Sequence, residues 1–267
     1  WVKWLKRWFH AARQKPRIAR EEKVRKALAE RVDGATCVSS SMGNYAKNHL
    51  GIEHAVVVPN GGPLIPENEI HSRRQKRDNK TFTVFYSGSA IYPWQGLDML
   101  SGVIELAKTE APDIRFLLAV NQRSDYLPEG DNVEIKERVP RDEVLDAICS
   151  ADVCIALHPD WFWTPHGVHG SPTKLWEYMS CMTPIVTSNR GQMADLIEHE
   201  SNGMLASDEP SDILAQLIKL RDNPDLADAI GRAGWELVQE KLNWPVVSRE
   251  TLSVFSRSMQ LRKAGKR

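Results

Sequence analysis

Long apolar runs are missing from this sequence: the longest, Phe116–Val120 and Val153–Leu157, have five residues each. Spanning bilayer hydrocarbon takes about twenty, so a transmembrane helix is excluded. Cysteine is scarce, four in 267 residues, and Cys37, Cys149, Cys154 and Cys181 form no CxxC pair. Three lie in apolar stretches and Cys181 at a predicted helix end, which reads as reduced thiols in a cytoplasmic protein. No apolar h-region follows the start, so no signal peptide is expected. The first residue is Trp1 rather than Met, and a processed or truncated start is expected. There is no G-x-G-x-x-G after a strand, no Walker loop, no HExxH helix and no nucleophile elbow. Dinucleotide oxidoreductases, P-loop enzymes, zincins and α/β-hydrolases are thereby left unsupported.

Net charge is absent too, since 35 Lys+Arg balance 35 Asp+Glu. The balance hides an asymmetry. Residues 1–31 hold eleven Lys and Arg against three Glu, and residues 257–267 hold five bases and no acid. The stretch between is therefore acidic, which argues against a nucleic-acid partner because phosphate neutralisation needs a basic face. The basic ends suit an anionic membrane surface. Trp1, Trp4, Leu5, Trp8 and Phe9 recur at helical spacing with Lys3, Lys6, Arg7 and His10 between them. That stripe fits either an interfacial membrane helix or a helix packing on further protein.

A second helix is predicted at Glu21–Arg31, a strand at Gly34–Val38, a Ser39-capped helix ending near Gly51, and a strand at Ala55–Val58. The polar, base-rich run His71–Lys80 reads as linker, with a domain boundary near 62–80. Beyond it short apolar strands alternate with helices. Strands are predicted at Thr83–Tyr86, Ile114–Val120, Val133–Ile135, Val153–Leu157, Pro184–Thr187 and Gly203–Leu205. Helices are predicted at Gly96–Lys108, Arg141–Ser150, Pro172–Cys181, Gly191–Glu198 and Ser211–Leu220, then a helical tail broken at Asn243-Trp244-Pro245. Strands without polar alternation are buried on both faces, so the fold class is α/β with a parallel doubly wound sheet. Ligands then bind beyond the carboxyl ends of the strands, at the switch point, on the loops after each strand.

The stretch His169–Met179 carries the most chemistry. Gly170 permits close backbone approach, Ser171 suits an N-cap, and Pro172 suits the first helical position. Free amides at Thr173 and Lys174 would then face a phosphate. Glu177 lies one and a half turns deeper in an otherwise apolar helix, where a carboxylate can accept from a vicinal diol. Phosphate at the cap and a diol further along describe a nucleotide. His158, His166, His169 and Asp160 match no zinc spacing, and no metal is expected. Trp161, Trp163 and Trp176 flank the same loop and suit either packing or a sugar face.

Gly170–Met179, Thr183–Ser188 and Asp195–Leu205 together resemble the donor half of the retaining GT-B glycosyltransferases, the group 1 family. Further matches are Val58–Gly61, Gly88 with Trp94–Asp98, Ala151–Val153 and Asn243-Trp244. The resemblance implies a GT-B fold: a Rossmann-like donor domain at 81–242, the incomplete end of an acceptor-side domain at 1–62, a linker at 63–80, and a C-terminal helix at 243–267 packing back toward the acceptor side. It implies transfer of a hexosyl group from a nucleoside diphosphate sugar to a glycan or lipid-linked acceptor, with retention and without metal or other cofactor, at the cytoplasmic face. By position, Glu177 would hold the ribose and Gly170–Thr173 the diphosphate. Backbone at Arg138-Val139 would hold the base, and His169 would face the donor sugar. Gly88, Ser89, Gln95 and Gly96 would line the diphosphate loops.

Three departures from the family pattern stand out. His169 replaces the first of two glutamates eight positions apart. Ser89 and Gln95 stand where many members carry Arg and Lys, with Lys174 and Arg190 as candidate replacements. The acceptor domain is mostly missing. A nucleotide-sugar-binding subunit without turnover is the alternative these departures suggest, and a membrane scaffold acting through residues 1–31 is a third.

Overall fold

The computed structural model describes residues 2–75, 80–159 and 170–265, with the backbone alone for residues 2–15. It divides into two compact units. One runs to Pro59 and takes up the chain again from Ser248; the other holds Asn60–Asp160 and Pro172–Val247.

The first unit opens on α1 (Val2–Ala29), a single helix where two stretches were expected. Pro16 sits inside it and costs one backbone hydrogen bond without ending the helix. β1 (Ala35–Cys37) and β2 (Ala55–Val57) pair in parallel, Ala35 opposite Ala55. Between them runs α2 (Ser40–Asn48), capped as expected: Ser39 Oγ accepts from Met42 N at 3.3 Å. Cys37, Ala46 and Ala55 form its small core.

The second unit begins with α3 (Glu67–Arg73), which replaces part of the expected linker. The run looked polar because one apolar residue anchors it. Ile70 is fully buried, while Glu67 pairs with Arg232 at 2.8 Å and Arg73 with Asp146 at 2.9 Å. Then come β3 (Phe82–Gly88), α4 (Leu97–Glu110), β4 (Ile114–Val120), β5 (Val133–Glu137), α5 (Arg141–Ser150), β6 (Val153–Ala156), α6 (Thr173–Ser180), β7 (Ile185–Ser188), α7 (Gly191–Leu196), β8 (Met204–Ala206), α8 (Pro210–Asp222), α9 (Pro224–Glu240) and α10 (Trp244–Lys263), which ends in the first unit. From Ser248 onward α10 belongs with β1, and Arg262 Nη1 lies 3.8 Å from Asp33.

Six strands make one parallel sheet in the order β5-β4-β3-β6-β7-β8. Successive residues of β3 point to opposite faces, so the sheet has two cores. Val84 and Tyr86 pack with Leu100, Ile104, Leu214 and Leu217 of α4 and α8. Phe85 packs with Ile148, Leu175 and Val238 of α5, α6 and α9. The strand order reverses between β3 and β6, and the crevice for a ligand belongs beyond their carboxyl ends.

Candidate functional site

β3 and β6 pair only at Val84–Val153 and Phe85–Cys154, while β3 stays paired with β4 through Gly88–Val120. The last three residues of β3 are therefore open on one side. Tyr178 of α6 fills part of that gap: its hydroxyl accepts from Ser87 N at 2.8 Å and donates to Ser87 O at 3.3 Å. Burial raises the Tyr178 phenol well above its ordinary value, so it remains a donor.

One turn earlier on the same helix face stands Lys174, half-buried. Its Nζ donates to Gln95 Oε1 and lies 4.2 Å from the centre of the Tyr86 ring. Tyr86 hydroxyl donates to the same Gln95 oxygen at 3.2 Å. No carboxylate pairs with Lys174 among the described residues, and burial brings its ammonium down to about 7. A cation partly withdrawn from water with only neutral partners is a costly arrangement that an anion relieves.

Above Lys174 the chain needs glycine. Gly88 has φ +154°, and a Cβ there would stand 2.6 Å from Lys174 Nζ. Gly96 (φ +71°) ends the short 3-10 turn Pro93–Gln95 and precedes α4; its Cβ would stand 2.6 Å from Leu157 Cβ. Both glycines let the loop after β3 lie close to α6 and to the end of β6. Ser89 Oγ is buried there without a partner.

The expected cap on α6 is corrected. Thr173 is its first helical residue, Pro172 takes the N-cap position, and no side chain caps it, since proline has no oxygen to offer. Leu175 N bonds Pro172 O at 3.0 Å, leaving Thr173 and Lys174 amides with no helical carbonyl four residues back. Gly170 and Ser171 precede this helix but group with the first unit. At Gly170 nothing among the described residues lies within 4 Å of a notional Cβ.

Glu177 follows Lys174 by three positions on α6 and so stands beside it around the helix. Its Oε1 accepts from Arg141 Nη2 at 3.0 Å, with the Glu177 side chain 26% exposed and Arg141 68% exposed. This ion pair ties α6 to the start of α5 and hence to the loop after β5. Arg138 takes a left-handed conformation there, φ +53°, and its N–H donates to Val120 O at 2.8 Å. A non-glycine residue held in that region stores local strain, which clusters at binding loops. Arg138 and Val139 thus stand at the turn leading to the partner of Glu177.

The structure brings together Gly88, Ser89, Gln95, Gly96 and Lys174 on one side, and Glu177 with the Arg138-Val139 turn on the other. Arg190, offered as a second replacement cation, is engaged by Asp208 at 2.7 Å. His169, His166, Asp160, Trp161 and Trp163 lie outside the described residues. Trp176 is fully buried and so packs in the core instead of lining a ligand face. Among the described residues no cluster of His, Cys, Asp or Glu could hold a metal ion. Sequence reasoning missed Arg141, Tyr86 and Tyr178. The first stands 36 positions from its partner, and the tyrosines read as ordinary core residues.

Residues 81–223, more than half of the chain, match the model of the family described as glycosyl transferases group 1. A GDP-mannose-dependent monoacylated alpha-(1-6)-phosphatidylinositol monomannoside mannosyltransferase of Corynebacterium glutamicum is 21% identical over 217 residues, covering 78% of this chain and 56% of its own. Sucrose-phosphate synthase from Thermosynechococcus elongatus superposes with a TM-score of 0.68 at 18% identity, over 90% of this chain and 61% of that one. Anabaena HepE, solved with UDP and glucose, superposes at 0.66 and 18% identity, over 84% and 63%. The chain spans about half the length of the curated relatives it matches. These similarities join the switch point of the strand order and the Gly170–Met179 motif: the α/β fold is of the GT-B glycosyltransferase type, and the chain belongs to the glycosyl transferases group 1 family.

Proposed function

We propose that the second unit binds a nucleoside diphosphate sugar and that the whole protein transfers its hexosyl group, with retention, to a glycan or lipid-linked acceptor. The observation that carries this reading is Lys174: a half-buried amine held by the neutral Gln95, with no carboxylate partner among the described residues, at the carboxyl end of β3 and beside a helix start that no side chain caps. A diphosphate supplies the missing charge, and the helix start adds amides and a favourable dipole. Glu177, one turn deeper and half-exposed, suits the ribose hydroxyls, with Arg141 fixing its carboxylate. The base would lie along the Arg138-Val139 turn. Catalysis on such a site is positioning and charge stabilisation of the leaving diphosphate.

The relatives support both GDP and UDP as donor nucleotide, so the test uses both. Incubating the full chain with a panel of UDP- and GDP-sugars should release the nucleoside diphosphate from one class. Saturable binding without release from any of them would favour the binding-subunit reading. That reading draws on Gln95, a neutral side chain already engaged with Lys174 where a second cation is usual.

We also propose that α1 meets an anionic membrane surface at the cytoplasmic face. Its support is that residues 2–29 form one helix carrying the basic and Trp-rich stripe. No described helix is long and apolar enough to cross a membrane. The full chain should sediment with phosphatidylserine vesicles at low salt and be released at high salt; equal recovery with neutral vesicles would contradict the electrostatic contact.

A further inference from the structure

One buried group near the crevice has no part in the reading above. His158 leaves β6 at its carboxyl end, with its N–H donated to Ser188 Oγ of β7 at 2.9 Å. Its neighbour Leu157 packs against Gly96, and the residue before Gly96, Gln95, holds Lys174. Arg190 stands two residues beyond Ser188. Three basic side chains, from the loop after β6, the first turn of α6 and the loop after β7, thus lie near one another where the strands end. His158 Nε2 is buried and has no hydrogen-bond partner among the described residues. Of the other titratable groups around the set, Asp208 is engaged by Arg190 at 2.7 Å and burial raises the Tyr86 phenol, keeping it neutral.

We infer that diphosphate binding at this crevice is coupled to proton uptake by Lys174 and His158, and that His158 Nε2 donates a hydrogen bond to the bound phosphate. The inference rests on the crevice being a diphosphate site and adds the protonation state in which it binds. Burial, with Lys174 and Arg190 beside it, holds His158 down to about 3, and burial brings Lys174 to about 7. An entering diphosphate reverses the field at both groups and favours their charged forms. Linkage then requires protons to pass from the buffer to Lys174 Nζ and the imidazole as the ligand binds. No bond of the ligand is made or broken.

The test is calorimetric titration of the full chain with UDP and with GDP at pH 7.5, in buffers of different ionisation enthalpy. The observed heat should vary linearly with that enthalpy, with a slope of about 0.5–1 proton taken up per site. Affinity should fall about fivefold between pH 7 and 8. His158→Gln, which keeps a polar side chain but cannot take the charge, should lower affinity about tenfold and reduce the slope. A zero slope with binding intact overturns the proton linkage and leaves the donor site standing. Unchanged affinity and slope in His158→Gln overturn the role of His158. No saturable heat with either nucleotide or with pyrophosphate overturns the linkage together with the site.

Discussion

Lys174 and Glu177 sit three positions apart on α6 and meet opposite needs. Lys174 lies under Gly88 with neutral partners, whereas Glu177 has an exposed cationic partner in Arg141. A Glu177→Ala substitution should therefore cost about 1.5–3 kcal/mol of nucleotide affinity with little change in folding, measured by calorimetry and thermal melting. Unchanged affinity would remove the ribose role. Gly88→Ala should act through sterics and backbone conformation together: φ +154° disfavours a side chain, and the new methyl would press on Lys174 Nζ. A loss of about 1–3 kcal/mol in unfolding free energy is expected. A variant as stable as wild type would mean that Lys174 has room to move.

The joint between α6 and β3 is where sequence and structure part company most usefully. The strands and helices of the second unit were legible because burial on both faces leaves short apolar runs between helices. β4 (Ile114–Val120) and α5 (Arg141–Ser150) fall where the pattern put them. What the pattern could not carry is side-chain geometry across distant segments. Tyr178 reads as one more core aromatic, yet its hydroxyl completes the hydrogen bonding of a strand that its neighbour has left. Tyr178→Phe should leave Ser87 N–H unpaired and cost about 1–3 kcal/mol, read as a lower thermal midpoint; no change would mean that water replaces the hydroxyl. Helix α3 was hidden for a different reason: one buried Ile70 among charges gives no periodicity. The misplaced cap on α6 is a one-residue shift, with Pro172 where Ser171 was expected, and helix boundaries are the least determined part of any periodic pattern.

Across the whole molecule, Lys174 and His158 give stability a pH signature. Lys174 falls from an ordinary 10.5 to about 7 in the fold, so the unfolded chain binds the extra proton between those values. Stability from this group is therefore whole above pH 10.5 and declines as pH falls toward 7. His158, lowered from 6.5 to about 3, adds a further decline below pH 6.5. Lys174→Met escapes the first of these. Its melting temperature should exceed that of wild type at pH 7 and approach it near pH 10.5, a gain of about 0.5–2 kcal/mol taken at the expense of ligand binding.

The most direct measurement is calorimetry of UDP and GDP binding to the wild-type chain and to Lys174→Met, with both proteins shown to be folded by melting. One nucleotide should bind wild type saturably, and the more stable variant should bind it at least tenfold more weakly. Equal affinity for the two proteins would contradict the claim that Lys174, at the switch of the sheet, holds a diphosphate.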